Sequence, residues 1–274
     1  MRFVPTAAGA PNGTLTLISN DLSRANLTVA LIGTATAAGN AKLPSITAGG
    51  VVNAASFLPP LSRGALGTIF GTDLANAAQT VSVVPWQRLM SGAKVLVAGF
   101  EAPLYYVSPG QINFQVPYEV PIGSVSVVVS RDGFESAPRT VTITDNALGV
   151  FGYARTATAF DPIIIHLDGQ LVTPGNPATA GEYLLAFVTG VDVGTYPVTG
   201  DISPVFPLPA AVAETTVTLG GAPVQSLFTG LTPGFIGLGQ MNLRLPLTLP
   251  AGSSLPLSLR VGAAPAITVN LAVK

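Results

Sequence analysis

The sequence has no cysteine, a single histidine, a single tryptophan and only 9% charged residues, and each shortage removes a class of chemistry. Without cysteine there is no disulfide, no thiolate nucleophile and no zinc–thiolate site, and the redox compartment leaves no trace. A net charge of −1 gives no basic field to attract nucleic acid. Hydrophobic residues make up 48% of the chain, yet no run approaches the roughly 20 apolar residues that a membrane-crossing helix needs. The longest apolar stretches, 124–129 and 162–165, are strand-sized and bounded by Gly, Pro or Asp. The opening residues MRFVPTAAGAPNG lack the apolar centre of a signal peptide, so an export signal is expected upstream of this sequence.

Thirty Gly and 24 Pro are spread through the chain, and long helices have almost nowhere to form. Between these breakers, short alternating or apolar runs recur about every ten residues, the spacing of a β-sandwich. GTLTLI at 13–18 and ANLTVALI at 25–32 read as two strands joined by the turn at 19–22, where Asn20 and Asp21 bond the local backbone. Two strands alone are marginal, so residues 1–43 are expected to be the closing strands of a truncated immunoglobulin-like module. After the small-residue linker TATAAGNAKLPS, strands are expected near 67–70, 80–84, 93–97, 102–107, 113–116, 124–130 and 139–144. A second set is expected near 163–167, 183–189, 214–219, 224–229, 240–245, 255–261 and 266–273, with helix confined to a turn at 86–90. The expected fold is all-β: immunoglobulin-like sandwiches in tandem, 44–146 and 147–274, behind the N-terminal partial module.

An internal repeat supports the tandem. SPGQINFQVP at 108–117 matches GLGQMNLRLP at 237–246, with Gln111 and Gln240 129 residues apart and Pro117 and Pro246 the same distance apart. VLVAGFEAPLYYVSPG precedes the first copy and VTLGGAPVQSLFTGLTPG the second; PIGSVSVVVSRDG and PAGSSLPLSLRVG follow them.

The segments GGVVNAASFLPPLSRGALGTIFGTDL and APLYYVSPGQINFQVPYEVPIG closely resemble the C-terminal domain of Solibacter-type acidobacterial exported proteins. NPATAGEYLLAFVTGV and APVQSLFTGLTPGFIGLGQMNLRLP continue the likeness to the end, over residues 46–274. The resemblance implies a domain of large secreted or surface proteins that follows propellers or other immunoglobulin-like modules, and implies no enzymatic activity. PNGTLTLISNDLSRANLTVALIGTAT resembles the closing strands of a Hydin-like immunoglobulin-like module. One departure stands out: the second half carries VDVGTYPVTG where the family has a glycine-rich signature.

Candidate functional residues are few. His166, in DPIIIHLDG, would serve a hydrolase as general base with Asp161 or Asp168 as its orienting carboxylate, but no Gly-x-Ser-x-Gly elbow presents a nucleophile. The plainer reading is a strand residue beside an Asp-Gly turn. The 13 carboxylates are scattered as turn residues, without the clustered spacing of a calcium loop, and no metal or other cofactor is implied. Gln111 and Asn113, and again Gln240 and Asn242, alternate with apolar residues, so each pair shares one strand face. Such amides suit sugar hydroxyls, or a structural role that repeats because the fold repeats. Trp86, Tyr105 and Tyr106, with Phe100 and Tyr118, would form an aromatic platform for a glycan, or else pack in the core. The first expectation is therefore a non-catalytic spacing, adhesive or anchoring module of a secreted or cell-surface protein. A carbohydrate-binding module comes second and a hydrolase using His166 third. The expected partners are a polysaccharide or another surface protein, with no nucleic acid and no membrane span. The N-terminal hairpin has an unpaired edge, which favours a homodimer.

Overall fold

The computed structural model of the chain describes residues 12–18, 26–34, 42–156 and 160–274. They fall into two compact units, Met1–Lys42 and Leu43–Lys274. In the first, Asn12–Ile18 pairs antiparallel with Asn26–Ile32, Leu15 facing Val29. The period-two alternation of GTLTLI sets its leucines on one face and its threonines on the other. The turn at 19–22 lies outside the described residues.

In the larger unit the first half builds two layers. One runs in the order Ser45–Asn53, Leu66–Thr72, Gln111–Gln115, Leu104–Val107, Gln79–Thr80. The other runs Leu61–Ser62, Arg139–Thr144, Gly123–Arg131, Ala93–Val97, Phe100–Glu101, with Phe134–Glu135 paired beside it. Leu61–Ser62 joins Arg139–Thr144 in parallel and every other pairing is antiparallel. In the lettering of immunoglobulin domains these layers are A-B-E-D and A′-G-F-C. The inward residues Ile69, Val95, Val97, Ile112, Phe114, Val127, Val129 and Ile143 are fully buried between them. Burying a Phe such as Phe114 contributes about 2–3 kcal/mol.

The second half repeats the order. Gly149–Val150, Tyr183–Thr189, Gly239–Arg244 and Ala222–Leu231 form one layer; Thr215–Leu219, Ser254–Val261 and Ile267–Ala272 form the other. The long strand Ala222–Leu231 joins them, because its first residues pair with Thr215–Leu219 and its later ones with Gly239–Arg244. In the first half Pro103, which has no N–H to donate, separates the equivalent strand into Phe100–Glu101 and Leu104–Val107. The hairpin turns also correspond: Ala98–Gly99 and Gly220–Gly221 all have positive φ, as a two-residue type I′ turn requires. Leu184, Leu219, Met241, Leu243, Leu257 and Leu259 line the second core.

Several expected elements differ. Strand 80–84 shrinks to Gln79–Thr80, 102–107 is divided at Pro103, and 86–90 is not helical. Ser45–Asn53 is a nine-residue strand that the pattern concealed. Its register slips between Ile46 and Val51 around Gly49, at φ 69°, and Gly50, where a Cβ would sit 2.7 Å from the Phe70 carbonyl oxygen. Between Gly149–Val150 and Tyr183–Thr189 the chain makes an excursion. It includes the hairpin Gly152–Ala154 with Phe160–Pro162 and the short strand Ile164–His166. Among the described residues no helix is long and apolar enough to cross a membrane.

Candidate functional site

The register brings part of the aromatic set to one place. Asn113 lies opposite Tyr106, and the next pairing is Phe114 with Leu104, so Tyr105 is the extra residue of a β-bulge. A bulge re-aims side chains: Tyr105 is 45% exposed, and its ring lies 5.2 Å from that of Trp86, tilted by 36°. Asn113 and Tyr106, as cross-strand neighbours, share the outer face. Phe100 and Tyr118 do not join them. Phe100 sits in the opposite layer, and Tyr118 is buried elsewhere.

The two amide pairs are built alike. Gln111 donates from Nε2 to Asn113 Oδ1 at 2.8 Å, and Gln240 Nε2 donates to Asn242 Oδ1 at 3.2 Å. Thr68 adds a hydroxyl donor to Asn113 Oδ1 at 3.3 Å. All four amide side chains are half-buried.

His166 is buried, and neither Asp161 nor Asp168 orients it. Nδ1 lies 2.5 Å from Glu182 Oε1, and Nε2 lies 3.1 Å from the Asn176 carbonyl oxygen. Glu182 Oε2 accepts the backbone N–H and the hydroxyl of Thr179, at 2.7 and 3.1 Å. Asp161 pairs with Arg155 at 2.7 Å, and Asp168 accepts the N–H of Gln170 across the turn. Both imidazole nitrogens are therefore occupied. Burial pulls the His166 pKa down, but hydrogen bonds to Glu182 and the Asn176 carbonyl and the charges of Glu182 and Asp168 outweigh it, for a net rise. Burial pushes Glu182 up, while His166 and Thr179 pull it down further, for a net fall. Among the described residues no group of three His, Cys, Asp or Glu side chains is placed to hold a metal ion.

The junction between the sandwiches holds a polar constellation that the sequence did not announce. VDVGTYPVTG forms much of it. Tyr196 stacks on Tyr118 with ring centroids 4.8 Å apart. Its hydroxyl donates to Asp192, and the guanidinium of Arg63 lies over its ring at 5.3 Å. Burial, and then the bond to Asp192, push the Tyr196 phenol up to about 12. The Thr199 hydroxyl accepts the N–H of Tyr118 at 3.1 Å and donates to Glu119 at 2.8 Å. Gly200 donates its N–H to Gln115 Oε1 at 2.7 Å, and its carbonyl accepts the N–H of Trp86 at 2.8 Å. On the other side, the Thr189 hydroxyl accepts from Leu66 N–H and donates to the Gly237 carbonyl, both at 2.8 Å. Asn53 Nδ2 donates to the Ala147 carbonyl at 2.8 Å. In the sequence this region was marked by nothing more than the segment VDVGTYPVTG at 191–200, where the resemblance noted above breaks off.

No family model and no curated protein matches the sequence. Among solved structures the chain is similar to SGBP-B of the Bacteroides ovatus mixed-linkage glucan utilization locus, in complex with a mixed-linkage heptasaccharide, at 13% identity and TM-score 0.35. That alignment covers 98% of this chain and 53% of the other, so the chain spans about half of that protein. It is also similar to a surface glycan-binding protein of Prevotella bryantii, at 14% identity and TM-score 0.24, over 82% of this chain and 41% of that one. A tandem from titin follows, at 11% identity and TM-score 0.22, over 96% and 73%. The strand order itself assigns the fold: two immunoglobulin-like sandwiches in tandem.

Proposed function

We propose that the chain is a non-catalytic module of a secreted or cell-surface protein, in which two sandwiches act as one stiff spacer or anchor for a partner domain. The junction supports this. Independently moving domains meet through flexible linkers that few contacts cross, whereas here buried Gln115, Thr189, Thr199 and Asn53 bond across the boundary. Breaking any one strands a buried polar group, at about 1–3 kcal/mol each. Calorimetry tests the coupling: both sandwiches unfold in one transition, and two resolved transitions would contradict the spacer.

A second reading, binding to an extracellular polysaccharide, is favoured by the Trp86–Tyr105 pair beside Tyr106 and Asn113. Sedimentation with insoluble polysaccharides checks it: wild type is retained, while Trp86→Ala and Tyr105→Ala lose retention and stay folded. Retention unchanged in both variants would remove the aromatic face as the site. Self-association through residues 1–43 is also proposed, with a concentration-dependent dimer expected in light scattering.

A further inference from the structure

The excursion that carries His166 is tied down at both ends of the imidazole, and the hydrogen count is informative. The Asn176 carbonyl can only accept a hydrogen bond, and so can an ionised Glu182. A neutral imidazole has one N–H and can serve only one of them. In its Nε2–H form it would turn the Nδ1 lone pair on the Glu182 carboxylate; in its Nδ1–H form it would face the carbonyl with Nε2. Only the imidazolium satisfies both contacts, at 2.5 and 3.1 Å.

These contacts close a loop. His166 ends the short strand paired with Tyr183–Thr189, Asn176 lies ten residues further along the excursion, and Glu182 stands where the chain enters Tyr183–Thr189. The stretch between runs along the C-terminal strand: Ala178 donates to the Ala272 carbonyl and accepts from Lys274 N–H, at 3.0 and 2.9 Å. Its Val172, Pro174 and Pro177 wall a cleft of about 800 Å³ opposite Asn270, Leu271 and Lys274.

We propose that His166 is a protonation-dependent latch: its imidazolium pins residues 167–181 against the C-terminal strand, and loss of the proton releases them and opens that cleft wall. The charged groups around the ring are Glu182 and Asp168. Thr179 holds the far oxygen of Glu182, Arg155 is engaged by Asp161 on the neighbouring hairpin, and Lys274 lies at Ala178. Arg244 is stacked over Tyr183 at 5.3 Å on the adjoining strand. The position equivalent to Glu182 in the first sandwich is Ala65, so the latch belongs to the second sandwich alone.

The chain's single histidine makes the test direct, because its ring gives one unambiguous set of NMR signals. The full chain is titrated from pH 5 to about pH 9, a range spanning ordinary histidine values, with amide hydrogen exchange of residues 167–181 followed in parallel. The ring midpoint is expected above 6.5, protection of the Thr179 and Asn176 amides relative to intrinsic exchange at each pH is expected to fall around the same midpoint, and Glu182→Gln is expected to lower it. A midpoint at or below 6.5, or protection that does not follow the ring, overturns the latch. The wild-type titration decides the matter by itself if the variant does not fold.

Discussion

The two sandwiches answer the same strand order with different surfaces, and their equivalent positions act as an internal control. Gln115 pairs with Leu66 in the first copy, where Arg244 pairs with Tyr183 in the second. Gln115 is buried and bonds Gly200 across the junction, while Arg244 is half-exposed and lies over Tyr183. Three residues further on, Tyr118 is 7% exposed and Leu247 is 78% exposed. Thr72 lies in the open and its counterpart Thr189 is buried. The lower end of the first sandwich and the upper end of the second have thus been rebuilt to meet each other. The Gln-x-Asn pair, by contrast, makes the same side-chain bond in both copies, which marks it as part of the fold. The bulge is also shared, at Tyr105 in one copy and Leu227 in the other, but only the first has aromatic Tyr105 and its partner Trp86. What repeats is architecture; what differs is where a specific role can reside.

The strongest challenge to this contrast is a pair of equivalent glycines. Gly64 and Gly181 both have positive φ. A Cβ on Gly64 would fall 2.0 Å from the buried Tyr118 ring, whereas on Gly181 it would meet only the exposed Leu247 side chain at 3.0 Å. Gly64→Ala is expected to cost about 3–4 kcal/mol, summing left-handed strain and overpacking, and Gly181→Ala about 1 kcal/mol, in denaturant titrations. Equal losses would break the comparison.

Next in size, Gln115→Ala is expected to lose about 2 kcal/mol, because it leaves the Gly200 N–H unpaired in a buried junction. Arg244→Ala should lose about 0.5 kcal/mol, the scale of an exposed cation–π contact. Stability should also depend on pH through the second sandwich. The folded His166 pKa is raised above 6.5, so its contribution is fully present below pH 6.5 and is lost as pH rises through the folded value. The folded Glu182 pKa is lowered below 4.5, so its share is present above that pH and is lost as pH falls through the folded value. Glu182→Gln should flatten both limbs in pH-dependent unfolding. The smallest effect sharpens the comparison most. Gln111→Ala and Gln240→Ala should each cost about 0.5–1 kcal/mol, the net worth of one hydrogen bond, and the two losses should be equal within error.

Much of the fold was legible because its determinants are local. Alternation in Arg139–Thr144 and the apolar run of Tyr183–Thr189 placed those strands, and Asp132–Gly133, both at positive φ, is the hairpin turn that the dipeptide suggests. Ser45–Asn53 was hidden because Gly49 and Gly50 interrupt its period, and its pairing with Leu66–Thr72 is a long-range fact. Core complementarity was hidden for the same reason. Gly67 faces Phe114 in the first copy and Leu184 faces Leu243 in the second, so a small and a large side chain share the space that two leucines fill. At the candidate sites the sequence supplied Trp86, Tyr105 and Tyr106, but not their bulge. It offered Asp161 and Asp168 to His166, since neither Glu182 nor the Asn176 carbonyl can be chosen without knowing how the excursion folds back. Thr199, Gly200 and Asn53 carry no motif, and their role exists only once the two sandwiches meet.

Residual dipolar couplings measured on the intact chain test the central claim most directly. If the junction locks the sandwiches, the alignment tensors fitted separately to residues 44–146 and 147–274 will agree in magnitude and orientation, and will diverge in Gln115→Ala. Tensors of different magnitude in the wild type would mean that the sandwiches move independently, and the stiff spacer would be wrong.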